Sequence, residues 1–283
     1  MKRVAFQGEL GAYSELAIYE YFASPVTVVP KESFPEIFDA VISKEVDHGI
    51  IPIENSLAGS IHENYDLLLV HDLVITGEIK LRISHHLLAN EGATLSGLNR
   101  ILSHPQAIAQ CNTYLKSLEH VELVSFYDTA GAARHVKESG SLSDAAIASA
   151  QAACDYGLVI LASGIESNQL NYTRFLILSR ELEPSAPDAK TSIVFSTKNI
   201  PGALFKSLSV FAMRDIDLYK IESRPLPGSP WEYLFYLDFS GDIRDGVTRK
   251  AIGHLEEITK MLKVLGSYQK GREVTGRIQE RRA

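Results

Sequence analysis

The feature that most constrains the fold is a recurring order: a short apolar run, then small polar residues, then a segment of helical periodicity. Such runs stand at 4–6, 26–29, 50–53, 100–102 and 145–148. Short apolar runs bounded by turn residues are typical of buried strands, and their alternation with helices indicates parallel sheets of the α/β class. From residue 191 the predicted order changes to β-α-β-β-α-β, the ferredoxin-like motif.

Composition limits the partners and the compartment. A length of 283 residues suggests two or three domains. A formal net charge of -7 and a pI near 5.7 give no general attraction to nucleic acid or to anionic membranes. No window approaches the roughly 20 apolar residues of a membrane span. Cys111 and Cys154 are too few for a disulfide framework, which favours a reducing, cytoplasmic location.

Polar residues follow two of the predicted strands at their carboxyl ends. Asn55 and Ser56 follow one strand and Ser103 follows another, while Gln106 and Gln110, four apart, share a helix face. In open α/β sheets, ligands bind beyond the carboxyl ends of the strands. These residues therefore predict a polar cleft. The alternative is that they only end strands and cap helices, and the sequence leaves both interpretations open.

A further polar cluster stands directly before the apolar run at 175–178. It contains Asn171, Thr173 and Arg174, whose side chains are able to contact an anion. A polar cluster at the mouth of a buried strand can be held rigidly. The alternative is a tight turn, because Asn and Thr are common loop residues. The cluster favours function only together with the other polar segments.

Two residue pairs suggest chemistry that the sequence argues against. His85 and His86 are neighbours on a predicted strand and point to opposite faces, so we expect structural or surface roles and no metal site. Ser103 and His104 invite a nucleophile-and-base interpretation. Sequence neighbours rarely form that pair, and the Gly-x-Ser-x-Gly elbow is absent.

Two predicted lobes precede the ferredoxin-like segment. The stretch 75–83 alternates strictly between apolar and polar residues and predicts a long strand that crosses between the lobes. We therefore expect a first lobe at 1–76 and 160–182 and a second lobe at 77–159. By composition, a linker follows at 183–190, which contains Pro184 and Ser185. The remaining chain is then a domain at 191–270 and a solvated tail at 271–283, which ends in Arg281-Arg282-Ala283.

Taken together, these motifs resemble the prephenate dehydratase family. The matching segments, in that family's order and spacing, are PIENS at 52–56, SHPQ at 103–106 with Gln110, DTA at 128–130, AIAS at 146–149 and TRF at 173–175. GAL at 202–204 and ESRP at 222–225 resemble the phenylalanine-binding motifs of its regulatory ACT domain. The resemblance covers about residues 2 to 268 and implies the monofunctional form, without a fused chorismate mutase domain.

The resemblance implies a fold, an activity and a set of site residues. The fold is a two-lobed hinged α/β catalytic domain of the periplasmic-binding-protein type II kind at 1–182, followed by the ACT domain. The activity is conversion of prephenate to phenylpyruvate with loss of water and carbon dioxide, without metal or organic cofactor. The implied catalytic residues are Thr173, Asn55, Ser103 and Gln110, and the implied substrate-binding residues are Arg174, Ser56, Ser14 and Gln106.

The chemistry is compatible with these residues. Prephenate is a dianion, so neutral donors and one arginine suit it, and Arg174 is expected to anchor a carboxylate. Thr173 is expected to donate a hydrogen bond or a proton to the departing ring hydroxyl, within a site that holds the substrate and stabilises the growing charge. Glu54 is assigned mainly to loop structure because a carboxylate near this substrate needs a partner or a proton.

The resemblance also implies regulation and assembly. L-Phenylalanine is expected to inhibit by binding the ACT domain of a homodimer or homotetramer. The implied ligand residues are Asn199, Gly202, Ala203, Leu204, Glu222, Ser223 and Arg224. Two alternatives stay open: an arogenate dehydratase, which runs the same chemistry on an aminated side chain, and a non-catalytic cytosolic protein that senses amino acids.

Overall fold

The computed structural model describes residues 1–118, 120–183, 187–226 and 228–278. It divides into two compact units. Unit 1 contains Met1–Asn64, Ile79–Phe175 and the residues from Arg272 onward, and unit 2 contains Tyr65–Glu78 and Leu176–Gly271. None of the helices in the described ranges is long and apolar enough to cross a membrane.

Strands and helices alternate along most of the chain. The strands are β1 (Lys2–Gln7), β2 (Val26–Lys31), β3 (His48–Asn55), β4 (Gly59–Ser60), β5 (Val74–Arg82), β6 (His86–Ala89), β7 (Arg100–Ser103), β8 (Glu122–Ser125), β9 (Asp144–Ala148), β10 (Val159–Ser163), β11 (Tyr172–Ser179), β12 (Ala189–Ser196), β13 (Leu218–Pro225), β14 (Tyr233–Ser240), β15 (Met261–Gln269) and β16 (Glu273–Val274). The helices are α1 (Tyr13–Tyr21), α2 (Phe34–Ile42), α3 (His62–Val70), α4 (Pro105–Gln110), α5 (Asn112–Leu115), α6 (Thr129–Ser139), α7 (Ala150–Tyr156), α8 (Ala203–Ala212) and α9 (Gly246–Ile258).

The first sheet forms the core of what we call lobe 1. Its strand order is β16-β5-β11-β3-β1-β2, with β4 paired to β3. β1 runs parallel to both β2 and β3. Phe6 and Ile50 are completely buried, as are Ile37, Phe38 and Val41 of α2. The strands are short apolar runs because helices cover the sheet, as in other parallel sheets.

A five-stranded sheet forms the core of lobe 2, in the order β10-β6-β9-β7-β8. Its side chains alternate between two apolar clusters, because successive residues of a strand point to opposite faces. Leu87 packs in the cluster that takes α4 and α5, whereas Leu88 packs in the cluster that takes α6 and α7. Both faces of this sheet are therefore covered by helices.

Unit 2 contains an antiparallel four-stranded sheet in the order β13-β14-β12-β15. Phe195 and Phe239 are completely buried on one face, where they pack with Phe211 of α8 and Leu255 of α9. The chain order β12-α8-β13-β14-α9-β15 is the ferredoxin-like motif. The predicted fold class, a two-lobed α/β region followed by a ferredoxin-like βαββαβ domain, is confirmed.

Two boundary predictions need correction. The segment 159–163 pairs with β6 as strand β10, so the chain leaves lobe 2 after residue 163 rather than at 160. Glu273 and Val274 pair with β5, so this part of the tail is not a solvated end. A long-range pairing of two residues leaves no periodicity in the sequence. The domain boundaries 1–182 and 191–270 stay predictions, and Pro184, Ser185 and residues 279–283 lie outside the described ranges.

Candidate active site

A cavity of about 230 Å³ is lined by residues from both lobes of unit 1. Most of the lining side chains are neutral, either apolar or able to form hydrogen bonds. The lining residues are Gln7, Gly8, Ala12, Tyr13, Ser14, Pro52, Asn55, Ile61, Ile83, His85, His104, Gln106, Ala107, Gln110, Asp128, Thr129, Thr173 and Phe175.

The fold explains why these residues meet. Gln7 and Asn55 end the neighbouring parallel strands β1 and β3, and carboxyl ends of parallel strands lie at one edge of a sheet. The predicted pair Gln106 and Gln110 comes from one helix of lobe 2, together with Asp128 at the start of α6. Five predicted site residues line the cavity: Ser14, Asn55, Gln106, Gln110 and Thr173.

Six polar side chains, all but Asn171 in the cavity lining, form one hydrogen-bonded series, which we call the polar chain: Thr173, Asn55, Asn171, Gln110, His85 and Tyr13. It begins in lobe 1, where Asn55 Nδ2 donates to Thr173 Oγ1 at 3.0 Å and to Asn171 Oδ1 at 2.8 Å. Asn171 Nδ2 donates to Gln110 Oε1 at 3.0 Å. These bonds connect the carboxyl end of β3 to a helix of lobe 2.

The polar chain continues through an imidazole to a phenol. His85 Nε2 lies 2.8 Å from Gln110 Oε1, and His85 Nδ1 lies 2.8 Å from the Tyr13 hydroxyl. Burial lowers the pKa of His85 from its usual 6.5, which favours the neutral imidazole. Burial also raises the pKa of Tyr13 well above its ordinary value, so Tyr13 keeps its proton.

Backbone amides fix the direction of the bonds between Thr173 and His85. Asn55 Oδ1 accepts from the N–H groups of Leu57 and Ala58 at 3.0 and 2.9 Å. A backbone N–H only donates, so the oxygen of Asn55 is on that side and its Nδ2 faces Thr173 and Asn171. It follows that Asn171 must donate to the oxygen of Gln110, which leaves that oxygen as an acceptor for His85.

The same reasoning assigns the tautomer of His85 and the proton of Thr173. A neutral His85 that donates from Nε2 has its lone pair at Nδ1, facing the Tyr13 hydroxyl. That hydroxyl has a second acceptor at 2.8 Å, the carbonyl oxygen of Ser84. At the other end, Thr173 Oγ1 accepts from Asn55, and within the described ranges no residue accepts the Thr173 proton. The O–H of Thr173 is therefore free to donate to a molecule in the cavity.

Three predicted site residues do not line the cavity. Ser103 is completely buried and donates to the carbonyl oxygen of Ile147 at 2.6 Å. Ser56 donates to the carbonyl oxygen of Leu170 at 2.8 Å, fastening the loop after β3. Arg174 follows Thr173 on β11 and so points to the opposite face, where its Nη1 lies 3.9 Å from Glu54 Oε2. The geometry does not place Arg174 where it would anchor a carboxylate in the cavity.

Three functional candidates went unrecognised in the sequence. His85 is buried and central to the polar chain, against the expected structural or surface role. The signal was its spacing: Ile79, Leu81 and Ile83 alternate on one face, and His85 continues that alternation. Tyr13 carried no signal, because a tyrosine at a helix start is common. Asp128 was named in the sequence only as part of the DTA motif, and in the structure it caps α6 by accepting from the Gly131 N–H.

Unit 2 contains a cavity of about 250 Å³ of its own. Four of the seven predicted phenylalanine-binding residues line it: Asn199, Gly202, Ala203 and Leu204. Gly202 precedes α8 with a φ of 77°, a left-handed conformation that glycine adopts without strain. The other three, Glu222, Ser223 and Arg224, lie on β13 away from this lining, where Arg224 pairs with Asp66 at 2.6 Å.

Metal binding has no candidate in the described ranges, where no three His, Cys, Asp or Glu side chains form a suitable group. The expectation of a reaction without metal or organic cofactor stays a prediction. It rests on the family resemblance.

A sequence model described as prephenate dehydratase matches residues 4–183. The chain belongs to the prephenate dehydratase family. It is therefore a dehydratase, an enzyme of the lyase class, and members of this family act in aromatic amino acid biosynthesis. The predicted family and the predicted enzyme class are confirmed. The match ends at residue 183, so the ACT assignment of the following domain stays a prediction.

Relatives of known name cover most of the chain. An Arabidopsis thaliana protein named arogenate dehydratase/prephenate dehydratase 2, chloroplastic, is 50% identical over 280 residues, which cover 94% of this chain and 72% of the relative. A solved prephenate dehydratase from Arthrobacter aurescens in complex with L-Phe has a TM-score of 0.87 at 31% identity, covering 95% of this chain and 90% of that one. A quorum quenching acylase, GqqA, has the same TM-score at 36% identity, covering 95% and 98%.

Proposed function

We propose that this enzyme converts prephenate to phenylpyruvate, with arogenate as the alternative substrate. The observation that carries the proposal is the direction of the polar chain. Its backbone-fixed bonds leave the Thr173 hydroxyl proton without an acceptor at the wall of the cavity. A departing hydroxyl group on a ring placed there would receive that hydrogen bond.

The reaction balances without a redox step. The bond between the ring and its carboxylate breaks, its electron pair aromatises the ring, and the bond to the ring hydroxyl breaks. Carbon dioxide and hydroxide leave, and the hydroxide takes one proton, from Thr173 or from water in the open cavity, to become water. If Thr173 transfers the proton, it is reprotonated from solvent. Prearranged donors stabilise the charge on the leaving oxygen, and fixed orientation aligns the two bonds.

The remaining polar groups orient the substrate. Tyr13 and Ser14 begin α1, where the first-turn N–H groups lack partners within the helix and attract negative charge. Gln106 and Gln110 offer amides from lobe 2. These neutral donors take over the role that was expected of Arg174. Asn55 holds Thr173 in place, and Ser103 acts at most through the backbone of β9.

A direct assay tests the proposal and separates its alternatives. Purified protein is given prephenate or arogenate, and phenylpyruvate is followed by absorbance and phenylalanine by chromatography. Formation of phenylpyruvate from prephenate supports the main proposal. Preferential formation of phenylalanine from arogenate identifies an arogenate dehydratase, which the names of the similar plant proteins favour. If neither product forms, the non-catalytic sensor is the better description.

Regulation by phenylalanine is the second part of the proposal. The cavity of unit 2 is lined by Asn199, Gly202, Ala203 and Leu204, and the similar Arthrobacter aurescens structure is a complex with L-Phe. We expect phenylalanine to bind here and to favour a less active state, which requires a different affinity for the two states. The variant Asn199→Ala should weaken inhibition and retain uninhibited turnover. Phenylalanine that binds without changing turnover would contradict this.

Assembly and compartment complete the proposal. Phe205 and Trp231, at the rim of the unit 2 cavity, are 76% and 81% exposed, which favours burial against a second copy in a homodimer or homotetramer. That copy would bring its own Glu222, Ser223 and Arg224 towards the ligand. Sedimentation with and without phenylalanine tests the assembly.

The compartment is the last part of the proposal. Cys111 and Cys154 are both free, which favours a reducing compartment, and we take this to be the cytoplasm. Similar plant proteins are named chloroplastic, so cell fractionation that locates the protein distinguishes the two compartments.

A further inference from the structure

Asp128 is the only Asp, Glu, Lys or Arg among the described residues that line the catalytic cavity. The cavity wall therefore carries a negative charge, and Arg134, whose charge also acts on Asp128, lies outside the lining and pairs with Glu9 at 3.0 Å. This is unfavourable for prephenate, whose two carboxylates make it a dianion. Arogenate carries an ammonium group in place of the side-chain ketone, which makes its net charge less negative by one unit.

The position of Asp128 is fixed by the backbone of both lobes. One carboxylate oxygen accepts from the Gly131 N–H as the cap of α6, and Oδ2 accepts from the Glu9 N–H at 3.3 Å. Each oxygen retains a lone pair for a ligand. Burial raises the pKa of Asp128, so the ionised form lacks solvation and gains more from a neighbouring cation than an exposed carboxylate would.

Gly8 separates Asp128 from the start of α1. A Cβ built at residue 8, where φ is +111°, would lie 3.3 Å from Asp128 Oδ2 and 3.5 Å from Ala12 Cβ, the residue before α1. The missing side chain leaves room between a carboxylate and the N–H groups that begin a helix. A carboxylate on one side and the positive end of a helix on the other suit a carbon that carries both an ammonium and a carboxylate.

From this juxtaposition we infer that Asp128 pairs with the α-ammonium of arogenate and raises the activity with this alternative substrate relative to the activity with prephenate. This inference rests on the proposed dehydratase function and deepens it. A ketone in the same place has no donor for Asp128, and its neighbouring carboxylate is repelled. Asp128 is thus a specificity-determining residue rather than part of the bond-breaking machinery.

The test is the ratio of kcat/KM for arogenate to that for prephenate, in the wild type and in Asp128→Asn. Asparagine caps helices as well as aspartate does, so the Gly131 bond is retained. Loss of a hydrogen bond to a charged group is expected to lower the ratio roughly 10- to 100-fold, chiefly through a lower kcat/KM for arogenate. The control Asp245→Asn, at the start of α9 in unit 2, should leave the ratio unchanged.

The outcomes separate this inference from the proposed function. If the wild type converts neither substrate, the proposed function fails. If it converts prephenate alone, or if Asp128→Asn changes both values of kcat/KM equally or changes neither, the function stands and the inference is overturned. Only a selective loss with arogenate supports the pairing, because a purely structural role of Asp128 would affect both substrates.

Discussion

Each unit buries a polar cluster, but the two clusters differ in charge. The polar chain of unit 1 joins neutral amides, an imidazole and hydroxyls, and it ends at Thr173 on a cavity. The cluster of unit 2 is ionic: Lys190 Nζ lies 2.6 Å from Glu78 Oε2 and 3.5 Å from Asp238 Oδ2. The three ionic residues are only 5%, 3% and 8% exposed, respectively.

The difference shows what each cluster contributes. Buried charges are tolerated only when partners satisfy them, and Ser192 Oγ and the Gly271 N–H donate to Asp238 and Glu78 in that role. The ionic cluster fastens β12 to β14 and to the middle of β5. A neutral chain avoids the cost of buried charge, and fixed amides set its direction. Ion pairs stabilise unit 2, whereas the fixed direction of the hydrogen bonds in unit 1 leaves the Thr173 hydroxyl proton available to a ligand.

The largest effect is expected from breaking the ionic cluster. Lys190→Met leaves the carboxylates of Glu78 and Asp238 buried without the Lys190 ammonium, which should lower the free energy of unfolding by about 3–5 kcal/mol. Urea denaturation followed by circular dichroism measures it. The control is Lys260→Met, because Lys260 has an equally short 2.6 Å pair with Glu232 that is partly exposed; we expect a loss of about 1 kcal/mol or less there. Equal losses in the two variants would contradict the role assigned to burial.

Breaking the open end of the polar chain should affect catalysis instead of stability. Thr173→Val removes the O–H donor while keeping the shape, so kcat should fall at least roughly 100-fold, the lower range for acid catalysis. The melting temperature should change little. Thr173→Ser restores the hydroxyl and should recover most of the rate. Near-normal turnover in Thr173→Val would remove Thr173 from the catalytic role.

The comparison also shows which parts of the molecule could be predicted. Helix faces and short buried strands leave a periodicity in the sequence, and these were confirmed, as with Ile37, Phe38 and Val41 on α2. The direction of a hydrogen bond between side chains leaves no such periodicity in the sequence. The polar chain depends on Asn55 accepting from two backbone amides of its own loop, a geometry that exists only after folding.

Strand parity explains the residues that were misplaced. Thr173 and Arg174 are adjacent on β11, so only one of them can face the cavity, and the pleat selects Thr173 together with Phe175. Ile83 and His85, in the short segment between β5 and β6, both line the cavity as well. Ser103 does not line the cavity for a different reason: its hydroxyl donates to the carbonyl oxygen of Ile147 on the neighbouring strand β9. The family motif identified these positions without stating which way each side chain points.

The far end of the polar chain should have a smaller effect than Thr173. Tyr13→Phe removes the donor to His85 Nδ1 and keeps the ring, so kcat should fall roughly 3- to 10-fold, the value of one neutral hydrogen bond. Steady-state kinetics with prephenate and arogenate measure the loss. Tyr156→Phe is the control, because that hydroxyl donates to the carbonyl oxygen of Leu10 and does not line the cavity. An equal loss in the control would point to general loosening of the lobes.

The smallest effect is a dependence on pH set by His85. Burial lowers the pKa of His85 below its usual 6.5, so the folded protein binds this proton less readily than the unfolded chain. The stability gained is therefore complete above about pH 6.5 and is lost as the pH falls through the lowered pKa. Protonation at Nδ1 also reverses its bond with Tyr13, whose hydroxyl then donates only to the Ser84 carbonyl oxygen, while the bond from Nε2 to Gln110 persists.

Turnover should accordingly fall roughly two- to threefold as the pH drops through this pKa, the effect of weakening a single hydrogen bond. The measurement is kcat against pH between neutral and mildly acidic conditions. His85→Gln should lose this acid limb. Burial lowers the pKa of His86 as well, but His86 is outside the polar chain, so His86→Gln should keep the limb. If the limb disappears in His86→Gln and persists in His85→Gln, the proton that matters is not on the polar chain.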